Sequence, residues 1–150
     1  MINLQEIKGL QKLSDWDVSK MIGFSENVAK GIISKRITIT QIRRFHSHIT
    51  KIWSRYSMNR SSYLKDSGRF KREILDEIIF VKAFLAYQTG RQEELKDLQD
   101  VLSEAIDKIK DHQDFEFFKK FYDSIIAYFK YYEQMPSEHY ENLQKGGRGR

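Results

Sequence analysis

The sequence predicts an all-α fold, a compact bundle of about five helices in a single domain, and three observations predict it. Apolar residues recur at three- and four-residue spacing in several long stretches. There is a single proline, Pro136, and internal glycines are few, which leaves room for long uninterrupted helices. No long run alternates polar and apolar residues as a half-buried strand does. At 150 residues, with 18 phenylalanines and tyrosines (10 Phe and 8 Tyr), the chain has the apolar mass for one ordinary core.

Residues 1–14 place Ile2, Leu4, Ile7, Leu10 and Leu13 at helical spacing, consistent with a short helix or a docking arm. Glu6 and Lys8 interrupt that pattern, so the segment reads as neither a signal peptide nor a membrane span. Ser14 or Asp15 is the expected cap of a second segment, Trp16 to Ile33, whose pattern breaks around Gly23 and Gly31.

The stretch from Thr38 to Tyr56 is the clearest helix. Thr38-Ile39-Thr40-Gln41 fits a capping box, in which the Thr hydroxyl takes one orphan backbone N–H and the Gln side chain reaches back. Ile42, Phe45, Ile49, Ile52, Trp53 and Tyr56 form its apolar side. At about 100° per residue, Arg44, His48, Lys51 and Arg55 fall on a narrow stripe elsewhere, and Arg43 lies on a flank. No acidic residue interrupts the stripe. Such a face repels itself unless water, salt or a polyanion screens it.

The polar, serine-rich stretch after Tyr56, SMNRSSYLKDSG, reads as a surface loop in which Arg60 and Lys65, with Arg69 just beyond it, continue the positive charge. A third long helix is expected from Phe70 to Gln88, apolar nearly all round from Ile74 to Tyr87, which predicts a central position or a subunit interface. Lys82 inside it is either a snorkelling side chain or a cation at the rim of a groove. Thr89-Gly90-Arg91-Gln92 fits a second capping box, with Gly90 as an alternative end for the preceding helix. Arg91 beside a helix N-terminus would make an anion site. Gln92 to Asp111 reads as a surface helix with Leu95, Leu98, Leu102, Ile106 and Ile109 inward. Asp114 is the expected cap of a last helix, Phe115 to about Met135, closed by Pro136. The end, QKGGRGR, is a basic tail or a leftover of cloning. The expected organisation is a variable N-terminal helical region over 1–36, a bundle core over 37–135 and a flexible basic tail over 136–150.

The formal net charge is +5, but its distribution says more. From Val28 through Arg72 there are twelve Lys or Arg and one acid, Asp66; from Glu73 through Asp114 there are eleven acids and five bases. The halves either attract each other within one molecule or serve two partners, a polyanion and a basic neighbour. The absence of cysteine excludes disulfides and thiolate metal sites and fits a reducing cytoplasm. His46 and His48, two residues apart, point to different sides of a helix, and His112 and His139 lack partners at ligand spacing, so no metal and no cofactor is expected.

One catalytic pattern is present. Arg43 and His48, separated by four residues in RRFHSH, resemble the Arg-x(4–6)-His motif of the helical HEPN ribonucleases, whose chemistry needs the His as acid or base and the Arg on the scissile phosphate. Against it, Arg44 stands where a small polar residue is usual, and the two side chains lie well apart around the helix. Nucleic-acid binding without catalysis fits the basic helix better, through phosphate contacts that carry no base-reading information. A helical scaffold that binds only protein is the remaining alternative.

Three stretches together resemble the small-subunit family of the type III-A CRISPR effector, the Csm complex. Thr38-Ile39-Thr40-Gln41-Ile42-Arg43-Arg44-Phe45 is similar to that family's Thr-x-x-Gln-Ile-Arg-Lys-Phe/Tyr helix start. Lys82 through Arg91, KAFLAYQTGR, is similar to its Lys-x-x-Leu-Ala-Tyr-x-x-Gly-Arg stretch. Phe121 through Tyr132, FYDSIIAYFKYY, is similar to its aromatic ending, with Asp123 for the usual Glu and Phe129 for a common His. The resemblance implies a non-catalytic helical subunit that self-associates in several copies as an inner filament beside the Csm backbone and large subunits. Its basic surface would run along the crRNA–target RNA, with no membrane involved. Arg43, Lys82 and Arg91 match the family's motif positions and are the RNA contacts it implies; Arg44, Lys51 and Arg55 are added from the charge stripe. Recognition blind to sequence suits a guided machine, where base pairing does the reading.

Overall fold

The Thr38 capping box forms as expected: the Thr38 hydroxyl accepts from the Gln41 backbone N–H and the Gln41 side chain accepts from the Thr38 N–H at 2.8 Å. It starts an amphipathic helix that buries Ile42, Phe45, Ile49, Ile52 and Tyr56 and leaves its other side open. In the computed structural model, which describes residues 2–135, the helices are α1 (Gln5–Lys8), α2 (Val18–Ser34), α3 (Ile39–Met58), α4 (Arg60–Lys65), α5 (Ser67–Phe70), α6 (Asp76–Arg91), α7 (Lys96–Asp107) and α8 (His112–Glu133). Single 3₁₀ turns lie at Leu13–Asp15 and Glu93–Leu95, and a π-helical turn over Lys71–Leu75 fuses α5 to α6. The all-α class therefore stands, with α2, α3, α6, α7 and α8 as the long members. The expected closure at Pro136 and the basic tail fall outside the described residues.

Ring contacts and polar pairs give the topology. Trp16, just ahead of α2, packs on Phe117 and Phe121 near the start of α8, while Glu26, further along α2, accepts from the Tyr132 hydroxyl at the end of α8. The two helices therefore run parallel. α3 runs antiparallel to α8, because His46 meets Tyr122 whereas Tyr56 packs on Phe115. α6 also runs antiparallel to α3, with Gln41 reaching Glu94 at one end and Arg55 reaching the Glu73 carbonyl at the other. α7 folds back along α6. The core lies among these helices and is rich in whole aromatic rings: Phe45, Tyr56, Tyr63, Phe115, Phe118, Phe121, Tyr122 and Phe129 are all essentially inaccessible.

Several expectations are corrected. α2 starts two residues later than expected, capped by the Asp17 carboxylate, and runs unbroken through Gly23 and Gly31. Packing of Met21, Phe24, Val28 and Ile32 on the core outweighs the glycines' cost in helix propensity. α2 ends in a Schellman arrangement, with the Ile37 N–H on the Ile32 carbonyl and Arg36 left-handed at φ 59.

The serine-rich stretch is not a loop: α3 continues to Met58 and α4 follows at once. Tyr63 anchors it, buried against Tyr56 and Phe70 and donating its hydroxyl to Glu73 at 2.8 Å. One aromatic side chain inserted into the core decides a segment whose local composition favours a turn.

The cap of α8 is Asp111 rather than Asp114, and Asp114 sits inside the first turn as the reciprocal partner of the box. Asp114 is fully buried. Its carboxylate accepts from the Ser14 N–H at 2.9 Å, the Lys110 N–H at 2.8 Å and the Lys12 ammonium at 3.0 Å. It thereby ties the N-terminal segment to the α7–α8 joint. Burial alone would raise the Asp114 pKa, but the donors from Ser14, Lys110 and Lys12 outweigh it and hold the group below the usual carboxylate range.

Candidate nucleic-acid interface

The basic stripe of α3 faces a groove along α6. The apolar arc of α3 sits on the core, so the stripe about 120° away from it falls beside α6, where Phe84 packs on the His48 ring at 4.6 Å. The groove has two open basins. One, of about 220 Å³, is lined by Gln41, Arg44, Tyr87, Gln88, Arg91 and Gln92. The other, of about 540 Å³, is lined by His48, Lys51 and Arg55 from α3 and by Glu77, Phe80 and Phe84 from α6.

Four of the six residues expected from the sequence thus meet in one place. Arg91 and Arg44 line the first basin, Lys51 and Arg55 the second. Among the described residues none of the four has a carboxylate within ion-pairing distance. Arg55 donates to the Glu73 backbone carbonyl at 3.3 Å, and Arg91 donates to the Tyr87 hydroxyl at 3.3 Å while packing over that ring. Glu77 is the one acid lining either basin.

The other two lie elsewhere. Arg43 is exposed on the far flank of α3, about 100° from Arg44, among Ser47, Thr50 and Ser54. Lys82 projects from the opposite side of α6, toward α7, where its ammonium pairs with Asp107. Its charge is met by an acid of the same chain, away from the two basins.

Arg91 does not sit at a helix N-terminus. α6 continues through Thr89 and Gly90 to Arg91, and a turn that includes Glu93 and Glu94 follows, so no capping box and no backbone anion site form there. The Arg91 guanidinium instead offsets the negative end of the α6 dipole and remains available to a ligand from the side. On the same last turn, the side-chain oxygens of Gln88, Thr89 and Gln92 are buried without a hydrogen-bond partner among the described residues. Thr40, Gln41, Gln88 and Gln92, with the two arginines, make the lining of the first basin polar.

The catalytic alternative finds little support in the geometry. Arg43 and His48 lie about 140° apart around α3, so they do not converge on one phosphate. His46 is a packing residue: its Nδ1 lies 2.6 Å from the Tyr122 hydroxyl, and burial, with Lys130 and Lys119 nearby, lowers its pKa. The described residues contain no group of three or more acids or histidines able to hold a metal ion. They also contain no helix long and apolar enough to cross a membrane.

Sequence reading missed the aromatic wall of the groove. Phe80 is 72% exposed and Tyr87 57%. Both belong to the stretch that reads as apolar all round, where no polar arc marks the open side. Only the tertiary packing shows that Ile74, Ile78, Val81 and Leu85 take the buried arc.

The sequence model of the type III-A Csm2 family matches residues 15–135. The chain belongs to the Csm2 family. The match begins well upstream of Thr38 and takes in α2, which packs along α8 in this chain. The chain is also similar to the "CRISPR system Cms protein Csm2" of Streptococcus thermophilus, 28% identical over 98 residues, which cover 64% of this chain and 73% of the relative. Membership of the Csm2 family supports a small subunit of a type III-A CRISPR complex.

Proposed function

We propose that this protein is a non-catalytic RNA-binding subunit of the type III-A complex, holding the crRNA–target RNA through the α3–α6 groove in the cytoplasm. One observation carries the reading: Arg91, Arg44, Lys51 and Arg55 line a single groove, and among the described residues none of them forms an ion pair with a carboxylate, Glu77 being the one acid in the lining. Cations left unpaired along one line fit a phosphate backbone, and they act through charge rather than base identity. A strand following that line reaches neither Arg43 nor Lys82, which contribute at most to the wider positive field.

Several copies stack beside the Csm backbone and large subunits. The four acids of α7 are met within the chain, Asp97 by Lys35, Asp100 by Lys96, Glu104 by Lys8 and Asp107 by Lys82, so contact between copies does not draw on unpaired acids of this helix. Stacking multiplies weak single-copy contacts along one RNA.

The test is target-RNA binding by the reconstituted complex with this subunit wild type or carrying R44A, K51A, R55A and R91A together, followed by gel analysis of the RNA. The reading expects weaker binding at every target sequence, assembly intact and no RNA cut by the isolated subunit. Unchanged binding by the four-fold variant overturns it, and cleavage abolished by H48A would move the assignment to a ribonuclease.

A further inference from the structure

We propose that the groove, beyond the phosphate contacts it offers a crRNA–target pair, also binds unpaired RNA, with Phe80 as a platform on which a base stacks; this deepens the basic-groove reading and rests on it. Phe80 is 72% exposed in the second basin, yet it stands across the groove from His48, Lys51 and Arg55. Protein–protein interfaces are enriched in aromatic residues and Arg but depleted in Lys and acids, and this basin holds Lys51 and Glu77. Sites for single-stranded nucleic acid interleave aromatic rings with cations, because every base offers a π-face and every linkage a charge.

The pattern occurs twice along α6. Tyr87, seven residues after Phe80 and so about 10 Å further along the axis, lies beside Arg44 and under the Arg91 guanidinium at 5.9 Å. Ring and guanidinium planes both stack on splayed bases. At that separation the two rings serve different nucleotides of one strand. Paired bases have both faces covered by their neighbours in the helix and present mainly phosphate and sugar. A duplex therefore uses the cations of this groove but not the rings.

The experiment titrates the full chain at low salt with a single-stranded RNA carrying 2-aminopurine, and separately with the same strand annealed to its complement. The expected result is tighter binding of the single strand, with a fluorescence change on stacking. F80A and F80L each weaken single-strand binding by about tenfold, leave duplex binding and the salt dependence as in the wild type, and F80Y restores affinity. Because Phe80 is exposed, the variants keep the wild-type melting temperature.

Wild-type affinity in F80A and F80L overturns the inference while leaving the charge reading intact if the four-fold Arg/Lys variant still loses binding. A change in sedimentation of the free protein on F80A, with RNA affinity unchanged, assigns the ring to a second copy instead. No single-strand binding by the wild type even at low salt overturns the stacking inference, while the charge reading is decided separately by the four-fold variant in the reconstituted complex.

Discussion

Replacing Asp114 by Ala tests how the N-terminal segment is fastened to the bundle. The carboxylate is fully buried and serves the Ser14, Lys110 and Asp111 backbone N–H groups and the Lys12 ammonium. Truncation leaves three backbone donors short of an acceptor and removes one counter-ion from Lys12. Hydrogen bonds to a charged group are worth roughly 1.5–3 kcal/mol each, but they share one carboxylate, so they do not add. Lys12 is partly exposed and keeps Asp111, so the cost comes from the orphaned buried N–H groups, about 1–3 kcal/mol each and less than additive, and about 4 kcal/mol is the expected total. In a chain of this size that lowers the melting temperature by roughly 10 °C.

The assay is thermal unfolding followed by far-ultraviolet circular dichroism. D114N, which keeps the shape and one acceptor, should fall between the variant and the wild type. The depressed Asp114 pKa adds a sign: its stabilisation is present above the ordinary carboxylate value and is lost as pH falls through its folded value. The D114N protein should therefore lose less stability than the wild type on acidification. A melting temperature for D114A within about 2 °C of wild type would refute the account of the joint.

Two further outcomes follow from the packing. Gly23 lies in the interior of α2, and an added methyl group would meet nothing within 4 Å, so G23A should stabilise by roughly 0.5–1 kcal/mol, measured by chemical denaturation. His46 has a lowered pKa, so folding disfavours its protonation; its contribution is present above pH 6.5 and declines as pH falls below that value. A titration of stability against pH should show that decline, at most about 1.4 kcal/mol per pH unit, and H46F should flatten it.

The contrast between α3 and α6 explains how much of this molecule was legible in its sequence. α3 carries its own boundaries and orientation: the Thr38 box fixes the start, and Ile42, Phe45, Ile49, Ile52 and Tyr56 fix the buried arc, leaving Arg44, Lys51 and Arg55 outside. α6 carries neither. Its apolar residues surround the axis, so nothing local says that Lys82 turns to α7 while Phe80 and Tyr87 stay open. Asp111 and Asp114 are both competent caps three residues apart, and the choice is made by Ser14 and Lys12, about a hundred residues away in the chain. The stretch around Tyr63 failed for the same reason: its helix is secured by a ring buried against Tyr56 and Phe70, a non-local contact that composition cannot express.

The central claim is that the α3–α6 groove meets RNA through unpaired cations. The most direct measurement is the salt dependence of single-stranded RNA binding by the wild type and by the variant carrying R44A, K51A, R55A and R91A. Each phosphate neutralised contributes a slope of about 0.7 in log affinity against log salt, so four groove cations predict a slope near 3 for the wild type that collapses in the variant. Single substitutions should each remove about 0.7 of it, whereas K82A, whose ammonium is held by Asp107, should leave it unchanged. A slope that survives loss of all four cations would contradict the account and place the RNA on another face.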